Sequence, residues 1–458
     1  MDRRSFLRSS ALAVGVTALG PSFWQQAYAA TARPGPGPYG GLLPPDANGA
    51  MLPKGFTSRI LATSGSVVPG TTYPWHGAPD GGAVFPQDDG GWVYASNSEI
   101  PLVGGAGAIR FSPDGEVADA YRILTGTSLN CAGGPTPWGT WLSCEENQLG
   151  QVYECTVTGT SQGVVRPALG TFSHEAVAVD PGRKQLYLTE DATDGRFYRF
   201  TPAAYPDLSR GVLEVLFVDD AGRVTWQSAR NPTAPQSQNR LPGSAVFPGG
   251  EGVWFDSDHV YFTNKGQNRV WDLDVRAQRL AVLYDAEVLG ENAPLTGVDN
   301  IVVSRSGDIF VAEDGGNLEV VLITPDGVVA PVVRLIGHDR SEICGPAFSP
   351  DGSRLYFSSQ RGRDIRGITF EVRGPFRTRR VSGPARGAMP VPGGNRGTDD
   401  GDGPTGGDLG PVDGSPSTAG SQLPATGAAP GTAVAAAALT AAAGAQLWAR
   451  RQADADPA

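Results

Sequence analysis

Between its two ends this chain has no long run with a 3.6-residue apolar repeat, which excludes a helical domain. Cysteine is scarce: Cys131, Cys144, Cys155 and Cys344 are all there is, and no C-x-x-C pair occurs, so a zinc ribbon is excluded. Positive charge is short as well. The net charge is −11 and the pI about 4.9, a poor electrostatic match for nucleic acid. No P-loop and no H-E-x-x-H is present, which removes P-loop nucleotide hydrolysis and the helix-borne zinc protease site. Glycine and proline are plentiful instead, at 63 and 38 residues, and suit a chain of many turns.

What is there is a repeat. Residues 130–146 read NCAGGPTPWGTWLSCEE: a polar head, a Gly-rich turn, a short apolar strand and an acidic tail. The same order returns at 175–190, 251–264, 299–313 and 345–359, and an earlier copy ends at Asn97 and Glu99. Head and tail are roughly 14 positions apart, the length of two short strands and a turn. Paired antiparallel strands bring the head of the first and the tail of the second to one end. Six such hairpins set radially predict an all-β chain, a six-bladed β-propeller with heads and tails around one mouth.

The ends read as address labels. In residues 1–29, Arg3 and Arg4 precede Phe6 and Leu7, an apolar run and an Ala-Tyr-Ala cleavage site, which is a twin-arginine signal peptide. The propeller is expected over 30–381, with 220–248 as a surface loop between blades. Residues 382–422 are Gly, Pro, Asp, Ser and Thr, a disordered wall-spanning linker. Residues 423–458 carry Leu-Pro-Ala-Thr-Gly, an Ala-rich apolar stretch and Arg450-Arg451. These resemble the sortase LPxTG sorting signal. The implied partners are the twin-arginine translocase, sortase and peptidoglycan, and the implied place is the cell wall of a Gram-positive bacterium, outside the cell. There Cys144 and Cys155, which flank a short segment, are a candidate disulfide.

The ring of heads and tails carries the chemistry. Its candidate metal ligands are Glu99, Cys131, Glu145 and Glu146 in the first hairpins, and Glu175, Glu190, Asp191 and Glu251 in the next. Asp299, Asn300, Glu313 and Asp314 complete it. Carboxylate and amide oxygens favour Ca²⁺, Mg²⁺ or Mn²⁺, and a thiolate among them favours a transition metal such as iron. So many carboxylates facing one channel repel unless cations neutralise them. Metal-assisted hydrolysis is therefore the leading enzymatic option. Asp351, in Ser-Pro-Asp-Gly, reads as a turn former. His174 reads equally as a ligand, a partner of a ligand or a core histidine.

The motif at 130–146, followed by VYEC at 152–155 and by SHEAVAVDP, LYLTED and FYRF within 173–200, resembles the PhoX-type alkaline phosphatase family. The resemblance covers roughly residues 52–372. It implies a six-bladed propeller holding Fe³⁺ and Ca²⁺ and hydrolysing small phosphate monoesters, and a monomer is expected. It also implies that Cys131 bridges irons, and that Glu145, Glu146, Glu175, Glu251, Glu190, Asp191, Glu313 and Asp314 are ligands. Cys131, Glu175 and Arg361 are the expected catalytic residues, with Arg361 or Arg363 on the phosphate. Two departures stand out. The family's Asn-His-Glu reads Asn97-Ser98-Glu99 here, and 299–314 is closer to the pattern of calcium-dependent propeller lactonases. The alternatives are a calcium-dependent lactonase-like hydrolase and a non-catalytic wall protein.

Overall fold

The computed structural model describes residues 31–381. The expected signal peptide, linker and sorting segment lie outside the described residues. Within them the chain forms six sheets of antiparallel blade strands, the blades of a propeller. Blade 1 is Pro79–Pro86, Trp92–Ser98, Gly104–Phe111 and Val117–Thr127; blade 2 is Asn130–Pro135, Thr140–Glu145, Val152–Thr156 and Val164–Val165. Blade 4 is Gly250–Asp256, His259–Asn264, Arg269–Asp274 and Arg279–Asp285; blade 5 is Val298–Val303, Ile309–Glu313, Glu319–Ile323 and Val328–Leu335. In each blade the predicted hairpin supplies the two strands nearest the axis.

Blade 6 closes the ring. Its inner strands, Ile343–Phe348, Arg354–Ser359 and Ile368–Arg373, come from the end of the propeller, and its outermost strand, Thr57–Thr63, comes from the beginning. Closure leaves no open edge between the last blade and the first. The segment before it is tied to blade 5: Arg33–Pro34 runs parallel to Val328–Leu335, and Ala50–Met51 pairs with the same strand.

The inner strands pack side by side around the axis, each against its neighbours on both sides. Backbones there approach too closely for side chains. A Cβ on Gly134 would stand 1.7 Å from the Val177 carbonyl oxygen, and Gly345 holds φ +64° with a Cβ position 2.7 Å from the Asp80 carbonyl oxygen. Only glycine fits both. Between blades the strands bury continuous apolar layers, such as Tyr187, Phe197, Phe262 and Trp271 between blades 3 and 4.

Blade 3 (His174–Asp180, Gln185–Glu190, Phe197–Ala204, Asp207–Val218) differs from expectation. The segment read as a plain loop contains a fifth strand, Val224–Ser228, paired along Asp207–Val218. Val224 is buried and Trp226 rests on Arg199, 4.4 Å from ring centre to guanidinium carbon. The polar residues around this short strand masked its alternation.

The candidate disulfide does not form, and all four cysteines are free thiols. Cys144 is paired with Val152, and Cys155 with Trp141. An odd offset along the strand puts the two sulfurs on opposite faces of the sheet. Cys144 packs with Leu169 and Phe172, Cys155 with Ile123 and Trp141.

Candidate metal centre

Every inner hairpin ends in the same register. The last paired residues are Pro79 with Ser98, Asn130 with Glu145, His174 with Glu190, Gly250 with Asn264, Val298 with Glu313 and Ile343 with Ser359. A bulge follows in each inner strand, which re-aims the adjoining side chains. The next residue on each inner strand is therefore equivalent around the axis: Asp80, Cys131, Glu175, Glu251, Asp299 and Cys344. The residue just past each second strand forms another equivalent set: Glu99, Glu146, Asp191, Lys265, Asp314 and Gln360.

These side chains converge. Ligand atoms of Cys131, Glu146 and Glu175 lie within 4.8 Å of one another, as do those of Asp80, Glu99 and Glu342, and those of Glu175, Glu251 and Asp299. Glu146 and Asp191 are within hydrogen-bonding reach of each other. Gln360 donates to Asp80 at 2.5 Å and to Glu99 at 2.6 Å. Lys265 pairs with Glu251 at 2.8 Å and Asp314 at 3.1 Å, and Arg361 with Glu342 at 3.4 Å.

Burial and mutual repulsion raise the acids. Burial comes first in every case, then neighbouring carboxylates, and together they push Glu146, Glu175, Asp299 and Glu342 well above the usual range. Glu99 rises to about 7 for the same reasons. Glu251 rises to about 8 although Lys265 opposes the shift, and burial lifts Asp80 to about 6 against the hydrogen bond from Gln360. The Cys131 thiol is pushed up by burial and then by Asp80 and Glu175. All of these groups would ionise in the presence of bound cations. The fit to metal is sharpest at Glu175: fully buried, it belongs to two of the three groupings, and its Oε2 has no hydrogen-bond partner. A buried carboxylate oxygen aimed at other carboxylates needs a cation or a proton.

The adjacent acidic pairs divide their labour. Glu146, Asp191 and Asp314 face the mouth, whereas Glu145, Glu190 and Glu313 turn into the loops between strands. Glu145 accepts from the Ser128 and Gln151 amides, and Glu313 from the Thr296 and Glu319 amides. Glu190 accepts from the Arg196 amide, the Tyr198 hydroxyl and Arg240. These three carboxylates are satisfied by donors and join none of the groupings. Asn300 also differs from a ligand. Its Oδ1 accepts from the Gly345 amide at 2.6 Å, so its Nδ2 faces Asp299 and Glu175 and donates to them.

Other expectations sort similarly. His174 stacks on Phe172 with ring centres 3.6 Å apart and bonds the Gly170 carbonyl, which makes it a core histidine. Asp351 bonds Ser349 and Ser353 within its own turn. Arg363 leaves the ring for His338 and the Asn48 carbonyl. Gly159 to Gly163 has the G-x-S-x-G spacing of a nucleophile elbow, but Ser161 donates to the Ile123 and Thr156 carbonyls and meets no histidine.

Asp80, Glu342, Lys265 and Gln360 are ring residues that the sequence pattern missed. The repeat held the signal. Starting the first copy one residue earlier adds Asp80, and moving each tail one residue later adds Lys265 and Gln360. In the last copy the register makes Cys344 the head, not Gly345. Glu342 lies outside the repeat and had no signal.

The motif at 130–146 can now be read residue by residue. Asn97 of blade 1 donates to the Cys131 and Ala132 carbonyls and accepts from Trp141 and Ser143. Asn130 donates to Ser143. The strand carrying Cys131 is thus clamped within blade 2 and to blade 1, which fixes the thiol relative to Glu146 and Glu175.

The profile of the family described as alkaline phosphatase PhoX matches residues 93–164, 152–279 and 267–362, together more than half of the chain. No curated protein sequence matches it. Among solved structures, the PhoX of Pseudomonas fluorescens in complex with vanadate, a transition state analogue, is similar at 16% identity and TM-score 0.60, covering 73% of this chain and 97% of that one. A gluconolactonase from Xanthomonas campestris is similar at 14% identity and TM-score 0.42, covering 74% and 99%. The register of the hairpins, the mouth they build and the span of the profile match lead to one assignment: this chain belongs to the PhoX alkaline phosphatase family.

Proposed function

We propose that this chain is a metal-dependent phosphatase that hydrolyses small phosphate monoesters at the propeller mouth. Glu175 carries the reading, since it is fully buried, has an orphaned oxygen and belongs to both the Cys131–Glu146 grouping and the Glu251–Asp299 grouping. Cys131, Glu146 and Glu175 would hold iron, because a thiolate selects a softer metal. Asp80, Glu99 and Glu342, all oxygen, would hold calcium. Bound cations supply charge for the phosphate oxygens and make water acidic enough to attack at ordinary pH.

The chain's own groups do the rest. The carboxylates set the position of the phosphate by setting the positions of the cations. Arg361, anchored on Glu342, presents a guanidinium beside them for a phosphate oxygen. Hydrolysis joins a water oxygen to phosphorus and breaks the ester P–O bond, and the departing alkoxide leaves protonated. Under this reading the protein is exported through the twin-arginine translocase and joined by sortase to the wall.

Elemental analysis by mass spectrometry on the mature protein, with a chromogenic phosphomonoester assayed on the same sample, tests this. Iron and calcium together with calcium-dependent turnover support it. Calcium alone without phosphate release sinks it and turns attention to lactones. Cys131→Ala should lose iron and turnover together while the far-ultraviolet dichroism stays unchanged.

A further inference from the structure

The ring has an approximate six-fold repeat, so one sector can be laid on another. In blade 2 the inner-strand residue Cys131, the second-strand terminal residue Glu146 and the next blade's inner-strand residue Glu175 bring three ligand atoms within 4.8 Å. Turning to blade 4, the equivalent positions hold Glu251, Lys265 and Asp299. Two of the three are carboxylates and the third is an ammonium. Lys265 Nζ stands 2.8 Å from Glu251 and 3.1 Å from Asp314, and the charges of Asp191 and Asp299 act on it as well.

We propose that Lys265 is a tethered cation that fills one of the ring's cation positions, so that this sector takes no divalent ion of its own. The inference rests on the ring being a metal centre and adds how its charge is divided. An ammonium bonds oxygens at about 2.8 Å and a calcium ion at about 2.4 Å, and both draw on the same carboxylate lone pairs. Two cations crowded onto Glu251 Oε1 repel each other, so the ammonium disfavours a divalent ion there. Lysine also suits the task better than arginine, as a compact point charge on a flexible stem rather than a planar fork. The chain is sparing with it: Lys54, Lys184 and Lys265 are its only lysines. A fixed charge here neutralises Glu251 and Asp314 and leaves the divalent ions to the Cys131–Glu146–Glu175 and Asp80–Glu99–Glu342 groupings.

The experiment compares the wild-type full chain with Lys265→Glu, Lys265→Arg and Lys265→Gln. Each is stripped with chelator, reloaded with calcium chloride, freed of excess by gel filtration and analysed for calcium per chain. Lys265→Glu should hold about one calcium ion more than the wild type, and Lys265→Arg the same number as the wild type. Lys265→Gln should melt below the wild type in chelator and recover in millimolar calcium. Equal calcium in a folded Lys265→Glu chain overturns the proposal, as does a Lys265→Gln chain that melts with the wild type in chelator. If the wild type itself takes up no metal after loading, the metal-centre reading falls first and this inference with it.

Discussion

At the scale of single residues, the polar groups that do not face the mouth are the ones that hold it in place. Asn97 of blade 1 is fully buried and satisfies four partners in blade 2. Asn97→Ala leaves the Trp141 indole and the Ser143 hydroxyl without acceptors, at about 3 kcal/mol in unfolding free energy by urea titration. Glu190→Ala removes an acceptor from the Tyr198 hydroxyl and one of two acid partners from Arg240, which keeps Asp194, with a smaller cost of about 1.5 kcal/mol by the same measurement. In both variants metal affinity should fall less than in Glu175→Ala, which removes a candidate ligand outright. Sequence spacing places these residues next to the ring. Whether a given carboxylate turns to the axis or to a loop amide depends on which of two neighbouring positions it holds, since adjacent side chains point to opposite sides.

At the scale of strands, the two faces of a sheet separate residues that are near in sequence. Cys144 and Cys155 sit in adjacent strands yet belong to different interblade layers. A thiol titration in denaturant without reductant should therefore find all four thiols; two would mean a disulfide and a different register in blade 2. The hairpin periodicity was legible because inner strands are nearly all apolar and end in polar pairs. The fifth strand of blade 3 was not, since only Val224 and Trp226 of Val224–Ser228 pack inward among polar neighbours. The head and tail positions were legible to within one residue. That uncertainty decided whether Glu313 or Asp314 faced the mouth, because neighbouring side chains on a strand point to opposite sides.

At the scale of the whole molecule, ring closure and charge balance couple stability to the termini and to metal. Removing residues 31–63 strips blade 6 of its outer strand and leaves the Ile368–Arg373 edge bare. The truncated chain should aggregate on gel filtration and lose its cooperative melt. Acidity has a definite sign. Glu251, Glu99 and Asp80 have pKa values raised by folding to about 8, 7 and 6, so without cations the folded chain binds more protons than the unfolded one. The stability this contributes is full below the ordinary carboxylate range and is lost as pH rises through these values. In chelator the melting temperature should fall from pH 5 to pH 9. Saturating calcium should remove that fall, because bound cations favour the ionised acids. A melting temperature that rises with pH in chelator would contradict the repulsive ring.

The sequence alone determined the all-β class, the hairpin repeat and the acidic, thiol-bearing character of the mouth. Each follows from local rules: strand periodicity, turn chemistry and ligand type. Only the tertiary structure decided which acids meet. It joined Asp80 to Glu342 across the closing seam, set Lys265 between Glu251 and Asp314, and gave Glu145, Glu190 and Glu313 to the loops. Those outcomes depend on distances between blades far apart in the chain, which no local pattern encodes.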